Sequence, residues 1–132
     1  MIRLALGLAL AAFSATAAIA MDPAKTMETS LGEVFVDQNG MTLYTFDKDT
    51  KGAAVSACVD QCIVNWPPFL APEGAVAAGE WTLVDVKDKD GAMKKMWAYD
   101  GWPLYLWVKD TKPGDVTGDG VGGVWHVAKP SS

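Results

Sequence analysis

The chain has 132 residues, of which 50% are hydrophobic and 20% are charged, and its net charge is −5 at neutral pH. An acidic protein repels phosphate backbones, so the charge argues against a nucleic-acid partner. The sequence also has no basic amphipathic segment that would hold it on an anionic membrane. The length suits one compact domain rather than several.

The first twenty residues have the pattern of a secretory signal peptide. A short positive start at 1–3 precedes an apolar run over 4–12, and residues 18–20 (Ala-Ile-Ala) fit a signal-peptidase site. We predict cleavage after about Ala20 and a periplasmic or secreted mature chain. The apolar run is too short for a membrane span, so no stable membrane insertion is expected after signal removal. The residue directly after the predicted cleavage site is Met21, so we expect no lipid attachment there.

The next segments contain the first predicted strands. Residues 21–32 are polar and small without a clear period, and we predict a flexible lead-in. Residues 34–36 (Val-Phe-Val) then predict a strand, and Asp-Gln-Asn-Gly at 37–40 predicts a turn. Residues 41–46 predict the returning partner strand.

Two cysteines follow, inside the one segment that could hold a short helix, residues 54–64. Cys58 and Cys62 are the only cysteines, and an exported protein meets an oxidising compartment, so we predict a disulfide between them. The chain-entropy model gives such a small loop about 2 kcal/mol of stabilisation. The alternative is a copper-handling or redox protein that uses these two cysteines and the single histidine, His126. The leading interpretation includes no metal and no cofactor.

The middle of the chain predicts further hairpins. Residues 71–79 are rich in small side chains and predict a surface loop, and 81–97 predict a hairpin. An Asp-Gly pair at 100–101 predicts a tight turn between strands at 96–99 and 102–108. Glycine in such a turn takes the positive φ that the geometry requires.

The end of the chain is a glycine-dense loop over 114–123 and a predicted closing strand over 124–127. Asp115 and Asp119 match part of a calcium loop, but its twelfth position is His126, where an EF-hand needs a glutamate. Ordinary use of these carboxylates in turns is therefore favoured. The sequence has neither a second histidine for zinc nor a nucleophile turn, so we predict that the protein is not an enzyme.

A nine-residue segment occurs twice in the chain. Residues 43–51 (Leu-Tyr-Thr-Phe-Asp-Lys-Asp-Thr-Lys) recur 61 residues later as 104–112 (Leu-Tyr-Leu-Trp-Val-Lys-Asp-Thr-Lys), with six identical positions. Self-similarity of this kind indicates one small structural unit that is built twice.

The repeated segment predicts a structural role. Strand alternation places its tyrosine and the following aromatic residue on one face and its leucine on the other. The aspartate after each strand would accept backbone N–H groups two residues on and close a turn. The alternative is a sugar-binding module that uses exposed tyrosine and tryptophan rings. The predicted structural motif consists of Tyr44, Phe46, Asp49, Tyr105, Trp107 and Asp110.

These residues resemble a known family. The pattern Tyr-x-aromatic-x-x-Asp occurs at 44–49 and again at 105–110. The cysteine segment 58–62 with Asn-Trp-Pro-Pro at 65–68, and the glycine-rich ending 118–127, are similar to the segments that follow the motif in the bacterial secreted-repeat family of predicted lipoproteins. The resemblance covers nearly the whole mature chain. It implies a two-repeat fold and an exported location, and it implies no activity.

Together these patterns predict a mostly β protein: an antiparallel two-repeat domain built from hairpins, with one short helix near the cysteines. The expected function is an envelope interaction or ligand-binding module, whose partner is an envelope protein or a small ligand. The predicted divisions are a signal peptide at 1–20, the lead-in at 21–32, repeat 1 at 33–71, a connecting loop and hairpin strand at 72–95, and repeat 2 at 96–129. Residues 33–129 would form one domain.

Overall fold

The computed structural model describes residues 22–130, so the predicted signal peptide and its cleavage site lie outside the described residues. Antiparallel strands and a single short helix make up the regular structure of the described part, which confirms the predicted fold class. None of its helices is long and apolar enough to cross a membrane. In chain order the elements are β1 (Lys25–Thr29), β2 (Gly32–Val36), β3 (Tyr44–Phe46), α1 (Gln61–Asn65), β4 (Trp81–Lys87), β5 (Met93–Tyr99), β6 (Trp102–Pro103), a short 3₁₀ turn (Val121–Gly123) and β7 (Trp125–Val127).

A hairpin begins each half of the fold. β1 pairs antiparallel with β2, and β4 pairs with β5, to which β6 adds as a third strand. The β5–β6 turn has positive φ at both Asp100 (50°) and Gly101 (83°), which is the backbone form that an Asp-Gly hairpin turn favours. The hairpin predicted over 81–97 is confirmed. Of the predicted return strand at 102–108, only Trp102–Pro103 form β6 beside β5, and Leu104 adds one more hydrogen bond, from its N–H to the Trp97 carbonyl at 3.0 Å.

The segment predicted as a flexible lead-in differs in the structure. Residues 25–29 of the predicted 21–32 stretch form β1, and all five pair with β2. Most of the β1 side chains are exposed, so backbone hydrogen bonds rather than an apolar face hold this strand. A strand of that kind leaves no hydrophobic period in the sequence, which explains the wrong prediction.

The strand predicted to return along β2 leaves it early. Thr42 bridges to β2, and Leu43 donates its N–H to the Phe35 carbonyl at 2.9 Å. From Tyr44 onward the chain, as β3, pairs instead with β7. The cause lies at Tyr44, because its backbone N–H donates to the Tyr105 carbonyl at 2.8 Å and so joins the second half of the fold.

The second half is completed by a segment from the first repeat. Phe69 donates its N–H to the Leu104 carbonyl and accepts the N–H of Trp97, each at 2.9 Å. The end of the first repeat therefore lies in the sheet of the second repeat.

The first half is completed in the same way by the second repeat. Ala128 donates its N–H to the Leu43 carbonyl and accepts the N–H of Phe35, each at 2.8 Å. The two repeats thus exchange their final segments across an approximate two-fold axis. Neither sheet contains all its hydrogen-bond partners without the other repeat.

Two hydrophobic clusters lie on opposite sides of the motif segments 43–51 and 104–112. Tyr44, Phe46 and Tyr105 are buried in the first cluster, against which Trp107 packs. Leu43 and Leu104, with Leu106 packed against them, belong to the second cluster. The predicted alternation of faces is confirmed.

Four rings of the first cluster form a continuous stack, which we call the aromatic stack. The order is Phe46, Trp125, Trp66 and Trp107, with successive centroids 4.2, 3.7 and 4.0 Å apart. The outer rings occupy equivalent positions in the two repeats, so the stack follows the same approximate symmetry as the backbone. Gly118 passes close to it, because a Cβ there would lie 2.9 Å from Trp66 Cη2.

Gly118→Ala should destabilise the protein by overpacking. The new methyl group would meet Tyr44 Cζ at 2.8 Å as well as Trp66, and an overpacked core costs about 1–3 kcal/mol. Urea unfolding measures this loss, and the near-ultraviolet circular dichroism of the stack should change with it.

Gly74→Ala serves as the control for backbone strain without crowding. Its φ of +82° disfavours alanine, but nothing lies within 4 Å of the added methyl group. We expect a loss of about 1 kcal/mol and an unchanged near-ultraviolet spectrum. Equal spectra for the two variants would contradict the packing described here.

Candidate functional site

The two motif tyrosines lie at the centre of the molecule. Tyr44 and Tyr105 exchange both of their backbone hydrogen bonds, at 2.8 and 2.9 Å, and both side chains are fully buried. An antiparallel bridge at these two residues therefore joins the two motif segments, 43–51 and 104–112. The hydrogen-bond partners of both tyrosine hydroxyls must therefore be protein groups rather than bulk water.

Each tyrosine hydroxyl donates to the aspartate of the other repeat. Tyr44 Oη lies 2.5 Å from Asp110 Oδ2, and Tyr105 Oη lies 2.7 Å from Asp49 Oδ2. Both carboxylates are buried. A buried carboxylate is costly unless donors satisfy it, so this exchange joins the repeats more tightly than apolar packing alone. We call the two pairs the Tyr–Asp locks.

The second oxygen of each aspartate holds the loop that follows it. Asp49 Oδ1 accepts the N–H of Ala57 at 2.7 Å. Asp110 Oδ1 accepts the N–H of Thr117 at 3.0 Å and its hydroxyl at 2.5 Å. These donors lie eight and seven residues after the aspartates, whereas the sequence pattern predicts bonds two residues on. The carboxylates therefore close long loops rather than tight turns.

The two locks differ in the group that completes the tyrosine. Tyr105 Oη also pairs with Ser56 Oγ at 2.6 Å, and Ser56 Oγ accepts the N–H of Cys58 at 3.1 Å. Tyr44 Oη instead accepts the N–H of Gly118 at 3.1 Å. A hydroxyl can donate or accept, whereas an N–H only donates. The first lock can therefore rearrange its protons, and the second cannot.

Burial shifts the ionisation of the locks. Loss of solvation, helped by the neighbouring carboxylates, raises the pKa of Tyr44 and of Tyr105 far above the usual tyrosine value. Burial also raises the pKa of the Asp49 carboxyl, while the N–H of Ala57 and the hydroxyl of Tyr105 lower it. Both phenols consequently stay protonated and act as donors at physiological pH.

The residues of the predicted metal alternative do not converge. Cys58 and Cys62 form the predicted disulfide, with their Cα atoms 5.3 Å apart. His126 Nε2 lies 2.8 Å from Asp47 Oδ2 in an exposed pair. Across residues 22–130, no group of three or more His, Cys, Asp or Glu side chains is placed to hold a metal ion.

Of the two acidic residues of the glycine-rich loop, Asp115 closes a turn, as the sequence analysis favours, whereas Asp119 bonds to β7. Asp115 Oδ2 accepts the N–H groups of Thr111 and Lys112, each at 3.0 Å, and these bonds hold the pKa of Asp115 below its usual value. Asp119 Oδ1 accepts the N–H of Val127 at 3.0 Å.

Most of the tryptophans belong to the core. Four of the six are buried, while Trp102 and Trp107 are partly exposed. Among the described residues, no tryptophan or tyrosine ring is fully exposed. No observation therefore favours the sugar-binding alternative.

An apolar groove that the sequence analysis did not predict lies beside the second hydrophobic cluster. Its volume is about 450 Å³. Leu70 and Val76 lie on its wall with 44% and 79% of their surface exposed. Val76, an aliphatic residue inside the predicted small-residue loop 71–79, was the available signal. The other lining residues are Asp22, Pro23, Gln38, Phe69, Pro72, Ala78, Trp81 and Trp97.

A family model described as a secreted repeat of unknown function matches the chain twice, over residues 25–69 and 84–129. Each match runs from one hairpin to one exchanged segment, so the matched repeats and the structural repeats agree. Neither a curated protein nor a solved structure matches the chain at a significant level.

The two locks predict unequal effects for two matched substitutions. In Asp110→Asn, either the Tyr44 hydroxyl loses its acceptor or the new amide N–H₂ faces the N–H of Thr117, so one buried donor is left unpaired. An unpaired buried donor costs about 1–3 kcal/mol. We expect urea unfolding to show a loss of that size.

Asp49→Asn is the matched control for the loss of charge. One N–H of its amide can donate to Tyr105 Oη, while the Tyr105 hydroxyl turns to Ser56 Oγ and the Ser56 hydroxyl donates to the Cys58 carbonyl, so the two hydroxyl donors keep acceptors. We expect a clearly smaller loss than for Asp110→Asn. Equal losses would show that the proton arrangement of the locks differs from the one described.

The pKa of Asp49 predicts a pH dependence with a definite sign. Because its folded pKa is raised, the folded state holds a proton that the unfolded state has already released. Stability from this group is present below the unfolded pKa and is lost as pH rises through the folded pKa. The unfolding free energy of the natural protein minus that of Asp49→Asn should therefore fall across this interval. A difference that rises with pH would contradict the burial of Asp49.

Proposed function

The chain belongs to the family of secreted repeats of unknown function, and we propose that it is an exported, non-catalytic domain that binds a small apolar ligand in the groove beside Trp81 and Trp97. The predicted signal peptide and the secreted character of the family support export. The observation that carries the binding proposal is the groove itself.

The groove has the properties of a small-molecule site. Its volume of about 450 Å³ falls in the range that such ligands occupy. Aromatic and aliphatic side chains line it, and Phe69, Trp81 and Trp97 also belong to the second hydrophobic cluster. A wall built on packed core residues is rigid, so a ligand would find the site already formed.

The polar groups at the groove limit the ligand's charge. Asp22 is the only ionisable lining residue, and Gln38 donates its side-chain amide to the Pro23 carbonyl at 3.2 Å. The chain as a whole carries a net charge of −5. An anionic ligand would be repelled, so the proposed ligand is a neutral or cationic molecule with a mainly apolar body.

The scarcity of ionisable residues in the groove also supports a binding role over catalysis. Acid–base catalysis needs ionisable groups held at the reacting atoms. The buried ionisable groups of the locks are occupied by each other and by loop backbone, and none of them lines the groove.

The proposal is tested by filling the groove. In Ala78→Trp, the large side chain would occupy the groove, while the backbone bonds between Ala78 and Trp81, at 2.9 and 3.1 Å, can remain. Titration with the neutral fluorescent probe N-phenylnaphthylamine should show binding to the natural protein and a large loss of binding to this variant.

Ala77→Trp is the matched control, because Ala77 is exposed and does not line the groove. It should bind the probe like the natural protein. Equal binding by both variants, or no binding by the natural protein, would refute the groove as a ligand site. Urea midpoints of both variants verify that the fold is intact.

A further inference from the structure

The partly exposed end of the aromatic stack is connected to both buried tyrosines. We propose that the stack carries oxidising equivalents from Trp107 at the surface to Tyr44 and Tyr105, so that the domain traps one-electron oxidants as tyrosyl radicals. This activity involves the first hydrophobic cluster and is independent of the groove.

The rings form a continuous route for an electron. Trp107 stacks on Trp66 at 4.0 Å, and Trp66 meets the edge of the Tyr44 ring at 5.4 Å. Trp66 also stacks on Trp125 at 3.7 Å, and Trp125 meets the edge of the Tyr105 ring at 5.2 Å. Each step joins neighbouring rings, and short separations of this kind favour rapid electron transfer between side chains.

The Tyr–Asp locks make the two tyrosines the final site of oxidation. An oxidised tyrosine must release its phenolic proton, and the Asp110 carboxylate lies 2.5 Å from Tyr44 Oη to accept it. Asp49 lies 2.7 Å from Tyr105 Oη in the same role. The transfer turns a buried carboxylate into a neutral acid and leaves a neutral tyrosyl radical. Loss of a buried charge is favourable, so the oxidised state settles on the tyrosine.

The reaction balances with a surface one-electron oxidant, such as a free radical or a high-potential metal complex. The oxidant takes one electron from Trp107. Trp66 then reduces Trp107, and Tyr44 reduces Trp66. The phenolic proton passes to Asp110. A one-electron reductant such as a thiol or ascorbate later returns the electron, and Asp110 returns the proton.

Two neighbouring features favour inward movement of the positive charge. Lys109 Nζ lies 5.9 Å from the Trp107 ring centroid, and its positive charge disfavours a cation on that ring. Cys58 and Cys62 pack in the same cluster, but as a disulfide they offer no thiol to intercept the oxidation.

The test generates an oxidant at the surface and finds the radical. Photogenerated ruthenium(III) polypyridyl is mixed with the full-length mature protein, and frozen samples are read by electron paramagnetic resonance. The natural protein should give a tyrosyl signal. The double variant Tyr44→Phe with Tyr105→Phe should lose it and show a tryptophanyl signal, while Tyr99→Phe should retain it.

A second pair of variants tests the entry point without touching the locks. Trp107→Phe keeps a ring in the stack but removes its oxidisable indole, and it should lose most of the tyrosyl yield. Trp102→Phe, at the other partly exposed tryptophan, should not. Equal yields for these two variants, or a tyrosyl signal that persists in the double tyrosine variant, would overturn the proposal. If the double variant does not fold, the tryptophan pair decides alone.

Discussion

The rest of the structure depends on the hydrogen bond that each motif tyrosine donates to the aspartate of the other repeat. Each buried carboxylate accepts a hydrogen bond from the tyrosine of the other repeat through one oxygen and from the loop that follows it through the other oxygen. A buried carboxylate without donors is expensive, so neither repeat reaches its stable form alone. The backbone exchange at Phe69 and Ala128 has the same consequence. The stable unit is therefore the pair of repeats, and we expect it to unfold cooperatively.

The same exchange separates two environments in a small domain. On one side of the motif strands, the locks enclose the aromatic stack, where every buried polar side chain of the described residues has a partner. On the other side, Trp81 and Trp97 pack in the second cluster and line the open groove. The proposed ligand site and the proposed radical trap thus use different faces. Substitutions on one face should leave the other function measurable.

Much of the local structure could be predicted from sequence patterns. The Asp-Gly turn at 100–101, the hairpin over 81–97 and the Cys58–Cys62 disulfide depend on neighbouring residues, and all are present. β1 was missed because its exposed side chains carry no period. The groove was missed because its walls come from segments that are distant in sequence, and Val76 was its one signal in the predicted loop 71–79.

The sequence by itself determined the two-repeat β class, the Asp-Gly turn at 100–101 and the face on which each motif side chain lies, because strand alternation and turn chemistry act between near neighbours. Only the tertiary structure decided which tyrosine binds which aspartate. The bonded residues lie 66 and 56 positions apart, and the two motif copies have the same tyrosine and aspartate at the same spacing. Pairing within a repeat and pairing between repeats would therefore have the same sequence pattern. The packing of the two repeats against each other selects the pairing between repeats. The two-fold arrangement of the aromatic stack follows from that packing.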